Sequence, residues 1–275
     1  MILEKIIEFG PSNKLVGVVS YPEKTDTTKP AIVILNSGVM HHVGACRSAV
    51  VIARLFASAG YPVLRFNYYG IGYSGYGDTS VRSPLDIKQE IPLALNELSK
   101  LTGVKSFVLH GLCSGARDAF SAALSDERII AISQIDSHAY RNIHFYLNKI
   151  PRFMTNPMLW LNAIKVRLPK KSSPPTQNKA SPQMEVQAWP DYPPKRNVES
   201  GYQKLTARNV KLLITYTGSW NDEYNYENQF FDMYSNTDFK NLVTINYMPQ
   251  ANHVMTGHGD RHYFNNHFLN FVKSL

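Results

Sequence analysis

Short apolar and β-branched runs recur along the chain at positions 2–9, 14–21, 31–36, 61–67, 104–110, 129–135, 210–217 and 242–248. Two of them, Ala31-Ile32-Val33-Ile34-Leu35 and Ser106-Phe107-Val108-Leu109, are apolar almost without interruption. Strands buried on both faces by crossover helices have this pattern. Between the runs the period changes to that of a helix. Residues 46–59 place Val50, Ile52, Ala53, Leu55 and Phe56 on one broad face, and Asp86, after Pro84, reads as the cap of a helix over 87–101. Further helices are expected at 115–124 and 262–275. Two antiparallel-looking strands followed by βαβα alternation predict an α/β protein, with a mostly parallel eight-stranded sheet and helices on both faces.

The alternation fails between 137 and 209. Residues 143–168 are rich in Phe, Tyr, Leu, Met and Trp, and residues 169–196 hold seven of the sixteen prolines among Lys, Ser and Gln. A structureless connection of that length is uncommon unless it is functional or disordered. Residues 137–209 are therefore read as an insertion, a helical apolar lid followed by a basic Pro-rich loop. The sheet-forming body is then 1–136 with 210–275.

Composition narrows the class. With 44% hydrophobic and 18% charged residues in 275, the chain is a folded globular protein, which excludes disordered and fibrous classes. The net charge of +8 is unevenly spread: +1 over 1–140, +10 over 141–211 and −3 over 212–275. Cys46 and Cys113 are too few for a disulfide framework or a cysteine-rich zinc site. The N-terminus lacks the layout of a signal peptide, and no stretch approaches the roughly 20 apolar residues of a membrane span. A soluble cytoplasmic protein is expected.

The chemistry is concentrated where the run at 104–110 meets the next helix, through Gly111-Leu112-Cys113-Ser114-Gly115-Ala116. A strand–turn–helix with Gly-x-Nuc-x-Gly spacing is a nucleophile elbow, in which small residues two before and two after the nucleophile let the backbones pass. Gly111 and Gly115 flank Cys113 in this way, whereas Ser114 would be flanked by Leu112 and Ala116. Cys113 is thus the expected nucleophile, activated by a helix N-terminus and a neighbouring His. The plainer alternative is a small buried core cysteine. On such a scaffold the acid and then the base follow in chain order. His253, in Pro249-Gln250-Ala251-Asn252-His253 after the last run, is the expected base. His258, His262 and His267 fall in or near the terminal helix. The acid is sought in Gly218-Ser219-Trp220-Asn221-Asp222-Glu223, where the shorter Asp222 is preferred to Glu223. Backbone N–H groups of Val39, in the loop Asn36-Ser37-Gly38-Val39-Met40, and of Ser114 are expected to hold an oxyanion. Met40, His41, Trp160 and Trp220 are candidate pocket residues.

These motifs resemble α/β-hydrolases of the serine-aminopeptidase-like group, and most of all the exosortase A system-associated hydrolases of bacterial exopolysaccharide loci. The resemblance runs through Asn36-Ser37-Gly38, Arg47, Ala53-Arg54, Gly60-Tyr61-Pro62-Val63-Leu64-Arg65-Phe66 and Gly70-Ile71-Gly72-Tyr73-Ser74. It continues through Gly111-Leu112-Cys113-Ser114-Gly115 and the Trp160 region. It implies a hydrolase fold with Cys113, Asp222 and His253 as triad. The chain departs from that pattern at Asn67 and Tyr69, where Asp and Arg are usual.

Other signals are weaker. Gly70-Ile71-Gly72-Tyr73-Ser74-Gly75 has dinucleotide-loop spacing, but the Gly, Asp, Ser and Pro that follow do not open a helix, so no pyrophosphate site is expected. His41-His42 has no carboxylates at ligand spacing, and His253, His258, Asp260 and His262 would compete with the triad, so no metal or cofactor is assigned. The leading expectation is a cysteine-dependent acyl hydrolase or acyltransferase acting on an ester, lactone or thioester through an acyl-Cys113 intermediate. Its rival is a non-catalytic ligand-binding or scaffold protein on the same fold. The basic segment is either a solvated face, a dock for an acyl carrier protein or CoA, or a weak peripheral contact with anionic lipid through the lid. Nucleic acid is not expected, since no binding motif accompanies the charge.

Overall fold

All eight expected strands form, and they join one sheet in a computed structural model that describes residues 2–11, 14–75, 84–155 and 192–275, side chains excepted at 84–88 and 151–155. The strands are β1 (Leu3–Phe9), β2 (Leu15–Tyr21), β3 (Ala31–Ile34), β4 (Val63–Phe66), β5 (Phe107–Leu112), β6 (Ile129–Ile135), β7 (Lys211–Thr217) and β8 (Val243–Met248). Their order across the sheet is β1-β2-β4-β3-β5-β6-β7-β8. β2 pairs antiparallel with both β1 and β4, and every later pairing is parallel.

The helices among the described residues are α1 (Ser48–Ser58), α2 (Pro84–Thr102), α3 (Ser114–Ser125), α4 (Ile143–Thr155), α5 (Lys195–Ala207), α6 (Gln229–Met233) and α7 (His258–Lys273). Successive side chains of a strand point to opposite faces, and the continuous runs of the central strands use both. Ala31, Val33 and Leu35 pack on one face with Leu95, Phe120, Tyr202, Tyr216 and Phe230. Ile32 and Ile34 pack on the other with Phe56, Val108, Leu213, Phe264 and Phe268. Helices α2, α3 and α5 cover the first face, and α1 and α7 the second. No helix among the described residues is long and apolar enough to cross a membrane.

Boundaries differ from expectation in four places. Helix α2 begins at Pro84, two residues before Asp86, since proline's fixed φ suits a first helical turn. Cys46 lies outside α1 in a short 3-10 turn, with φ of 50° at Cys46 and 60° at Arg47. Helix α7 starts at His258, so His258 and His262 both lie within it. Helix α5 falls in the segment read as an insertion, yet its Val198, Tyr202 and Leu205 are core residues. The last part of 137–209 is therefore one of the sheet's flanking helices. Trp160 and residues 169–191 of the basic Pro-rich loop lie outside the described residues, and its last two residues, Lys195 and Arg196, open α5.

Because β3 and β5 to β8 run parallel, their carboxyl ends share one edge of the sheet. The loops carrying Val39, Cys113, Asp136, Trp220 and His253 gather there, the edge at which parallel α/β sheets hold their sites.

Candidate active site

Cys113 joins β5 to α3 with φ 58° and ψ −113°, a backbone conformation that L-residues rarely adopt. The two glycines make the turn possible. A Cβ on Gly111 would fall on the backbone of Gly115, and a Cβ on Gly115 would fall on the carbonyl oxygen of Asn36. The Cys113 N–H donates to the Ile135 carbonyl at 2.8 Å, which pins the turn to the end of β6. The thiol is buried, and it sits at the N-terminus of α3, where unpaired N–H groups and the helix dipole favour an anion.

His253 reaches the sulfur from the loop after β8 and hydrogen-bonds to it. Its backbone N–H donates to Ser219 Oγ at 2.9 Å, and the Trp220 ring stacks on the imidazole with centroids 5.5 Å apart and planes 12° from parallel. On the far side, His253 Nδ1 lies 2.7 Å from Asp136 Oδ2, so Nε2 is the nitrogen left for the sulfur.

Asp136, the first residue past β6, has φ 49° and is 0% exposed. It accepts the Thr217 N–H at 2.7 Å and the Thr217 hydroxyl at 2.6 Å, and its own N–H donates to the Thr215 carbonyl at 2.9 Å. These donors fix the orientation of the buried carboxylate toward the imidazole.

The expected acid, Asp222, is elsewhere. Its side chain is 94% exposed and pairs with Lys149 Nζ at 3.3 Å. The neighbouring candidate, Glu223, pairs with Arg141 at 2.6 Å. The cause is local: Thr217 is committed to Asp136, Gly218 N–H is tied to the Ala251 carbonyl at 2.9 Å, and a 3-10 turn over Gly218–Trp220 turns the following residues toward α4. Sequence reasoning missed Asp136: an acidic residue directly after an apolar strand becomes a signal only once that strand is known to lie between β5 and β7.

The charges follow from these contacts. The hydrogen bond to Asp136 comes first, then that to Cys113; together they outweigh burial and hold the His253 imidazolium to about 9. Burial alone would push the Cys113 thiol up, but the hydrogen bond and charge of His253, with Arg117, bring it below its ordinary value. Each shift favours the charged form of its group.

The loop after β3 is fastened to the elbow. Gly38 N–H donates to Ser114 Oγ at 2.7 Å, and Met40 N–H donates to the Ser37 carbonyl at 3.0 Å. That leaves the backbone N–H of Val39, at a loop tip where the residue is 90% exposed, without an acceptor among the described residues. Asn67 supports this loop with its side-chain amide. Its Oδ1 accepts the His42 N–H at 2.7 Å, and Asn36 Oδ1 accepts the Tyr68 N–H at 2.7 Å.

Met40 and His41 line a small cavity of about 50 Å³ with His42, His110 and Leu112, and Cys113 does not line it. His41 Nδ1 accepts the Val43 N–H at 3.3 Å, and its ring meets Tyr73 edge-on at 5.1 Å. Burial holds His42 neutral down to about 4. This pair braces the loop. The Trp220 ring is placed against the His253 imidazole and supports it.

No family model and no curated protein matches the chain. Solved structures do. An esterase from Pyrococcus furiosus matches over 99% of this chain and 91% of its own, at 16% identity and a TM-score of 0.61. The chain has the α/β-hydrolase fold. An α/β hydrolase from a Penicillium species matches over 99% and 98%, at 16% identity and TM-score 0.62. A serine hydrolase without a lid from Xanthomonas campestris matches over 99% and 94%, at 14% identity and TM-score 0.58. In this α/β-hydrolase fold the elbow position is held by Cys113.

Proposed function

We propose that the protein is a cysteine-dependent acyl hydrolase or acyltransferase, acting on an ester, lactone or thioester. The observation that carries the reading is the array Cys113–His253–Asp136, with Cys113 at φ 58° on the N-terminus of α3 and Asp136 2.7 Å from His253. The thiolate attacks the carbonyl carbon and forms the C–S bond, while the carbonyl electron pair moves to an oxyanion held by the N–H groups of Val39 and Ser114. As the tetrahedral intermediate collapses, the bond to the leaving oxygen or sulfur breaks and the His253 imidazolium protonates that atom. The acyl-Cys113 thioester is then attacked by water, an alcohol or an amine whose proton passes to neutral His253, and the C–S electron pair returns to sulfur. Asp136 keeps the imidazole in the required tautomer throughout. Acyl donors carried on an acyl carrier protein or CoA suit a site of this kind, because a thioester presents its carbonyl on a flexible arm.

Incubation with acyl thioesters or activated esters, followed by intact-mass measurement, tests the reading. One acyl group is expected on the wild-type chain and none on Cys113→Ala. No adduct on the wild type or on His253→Ala, together with no turnover, would return the protein to the class of ligand-binding scaffolds.

The pH profile should be bell-shaped. The acid limb tracks the lowered Cys113 thiol, and the alkaline limb falls near pH 9, where His253 loses the proton that the leaving group needs. The sign for stability agrees. A His raised in the folded state stabilises it fully below its unfolded value of about 6.5, and that contribution is lost as pH rises through about 9. Measurement of kcat/KM against pH checks this, and an alkaline limb that stays flat well beyond pH 9 would contradict it.

A further inference from the structure

The geometry points to Arg117 as a positioning residue for the Cys113 sulfur, an inference that rests on the cysteine reading just given. Helix α3 brings Arg117 round one turn after Cys113, and its Nη2 lies 4.0 Å from Sγ. The guanidinium also lies over the Tyr192 ring, 5.8 Å from its centroid, which keeps the side chain along the wall of the site. Three elements besides α3 turn titratable groups toward this corner. The loop after β8 brings His253, with Asp136 behind it on the side away from the sulfur. The stretch after β6 brings His138 and Tyr140, and the stretch before α5 brings Tyr192. Burial first, and then the charge of Arg117, hold His138 neutral down to about 3. Burial pushes Tyr192 up to about 12, and Tyr140 is raised as well. Near neutrality the sulfur therefore faces two cations, His253 and Arg117.

The two differ in kind. His253 surrenders its proton to the leaving group, whereas a guanidinium stays charged at every working pH. When water, an alcohol or an amine displaces the acyl group, the C–S electron pair returns to sulfur, and Arg117 is the cation still in place to receive it. Arg117 thus sets the thiol's acidity in the resting site and makes the sulfur a better leaving group in deacylation.

Alkylation kinetics test this, in a Cys46→Ser background because Cys46 is exposed. Relative to the parent, Arg117→Gln should raise the pH midpoint of iodoacetamide alkylation by about one unit and slow the reaction near neutrality about tenfold. Arg117→Lys should recover most of the loss. A midpoint unmoved in Arg117→Gln, while His253→Ala shifts it, overturns the role of Arg117 and leaves the cysteine reading intact. A parent midpoint at the ordinary thiol value removes both. A second measurement needs no Arg117 variant. Above about pH 9, where His253 is neutral, anionic iodoacetate should react faster relative to iodoacetamide at Cys113 than at a free small thiol. An equal ratio overturns the inference.

Discussion

Asp136→Asn should lower acyl-transfer turnover by about a thousand- to ten-thousand-fold, whereas Asp222→Asn should leave it within roughly twofold. The argument is geometric. An amide in place of the Asp136 carboxylate keeps the size of the side chain, but it offers either a neutral oxygen or an N–H to His253 Nδ1. The neutral oxygen gives up the charge that holds the imidazolium to about 9, and the N–H forces the wrong tautomer. Thr217 meets the same choice through two further bonds, so an asparagine side chain there cannot satisfy every partner at once. The Asp222 side chain, 94% exposed, loses only a surface contact with Lys149. Steady-state kinetics on both variants decide the matter, with circular dichroism to show that each is folded. Equal losses in the two, or a loss in Asp222→Asn alone, would return the acid to the loop after β7.

The second large effect concerns folding. Gly111→Ala should destabilise the protein by about 3 kcal/mol or more, or prevent folding, because its Cβ would overlap backbone atoms of Gly115 that no rotamer change can move. Only separation of β5 from α3 would relieve the overlap, and that separation dismantles the elbow. Gly38→Ala makes the control. Gly38 also departs from ordinary geometry, with φ +54°, but a Cβ there meets nothing within 4 Å. It should cost only the left-handed strain of about 1 kcal/mol. Denaturant unfolding of the two variants separates them. Similar losses would mean that β5 and α3 are not held so close in solution.

Much of this was legible in the chain because it is local. Strand identity follows from runs of apolar residues, and the elbow follows from Gly111, Cys113 and Gly115 within five residues. His253 was found because it lies in the loop after the last strand. Asp136 is different. Nothing in Ile135-Asp136-Ser137 says that β6 lies between β5 and β7, so that its carboxyl end faces the His253 loop; that is a property of strand order. Chain order admits Asp136 and Asp222 alike; the expectation that the acid follows the penultimate strand favoured the loop after β7, and there the conformation of Gly218–Trp220 turns Asp222 away from His253. Helix α5 was hidden for another reason. Its core positions Val198, Tyr202 and Leu205 have helical spacing, but Lys, Arg and Pro around its start give it the composition of the loop before it.

Charge also reads differently once the contacts are known. Arg141, just before α4, and Lys149, within it, pair with Glu223 and Asp222. Part of the +10 over 141–211 is thereby balanced by the −3 over 212–275, through solvent-exposed bridges that contribute little stability but fix which surfaces meet.

The chain leaves the sheet body beside Tyr140 and comes back at Tyr192, and the two rings stand 5.4 Å apart. Tyr140 hydroxyl donates to the Pro193 carbonyl at 2.5 Å, and Tyr192 hydroxyl accepts the Ala139 N–H at 2.5 Å. Departure and return are clasped together on the wall of the site, near Arg117. Residues 140 and 192 are therefore held side by side by their own contacts, and the wall that Tyr140, Tyr192 and Arg117 make beside Cys113 is assembled from two stretches 52 positions apart in the chain.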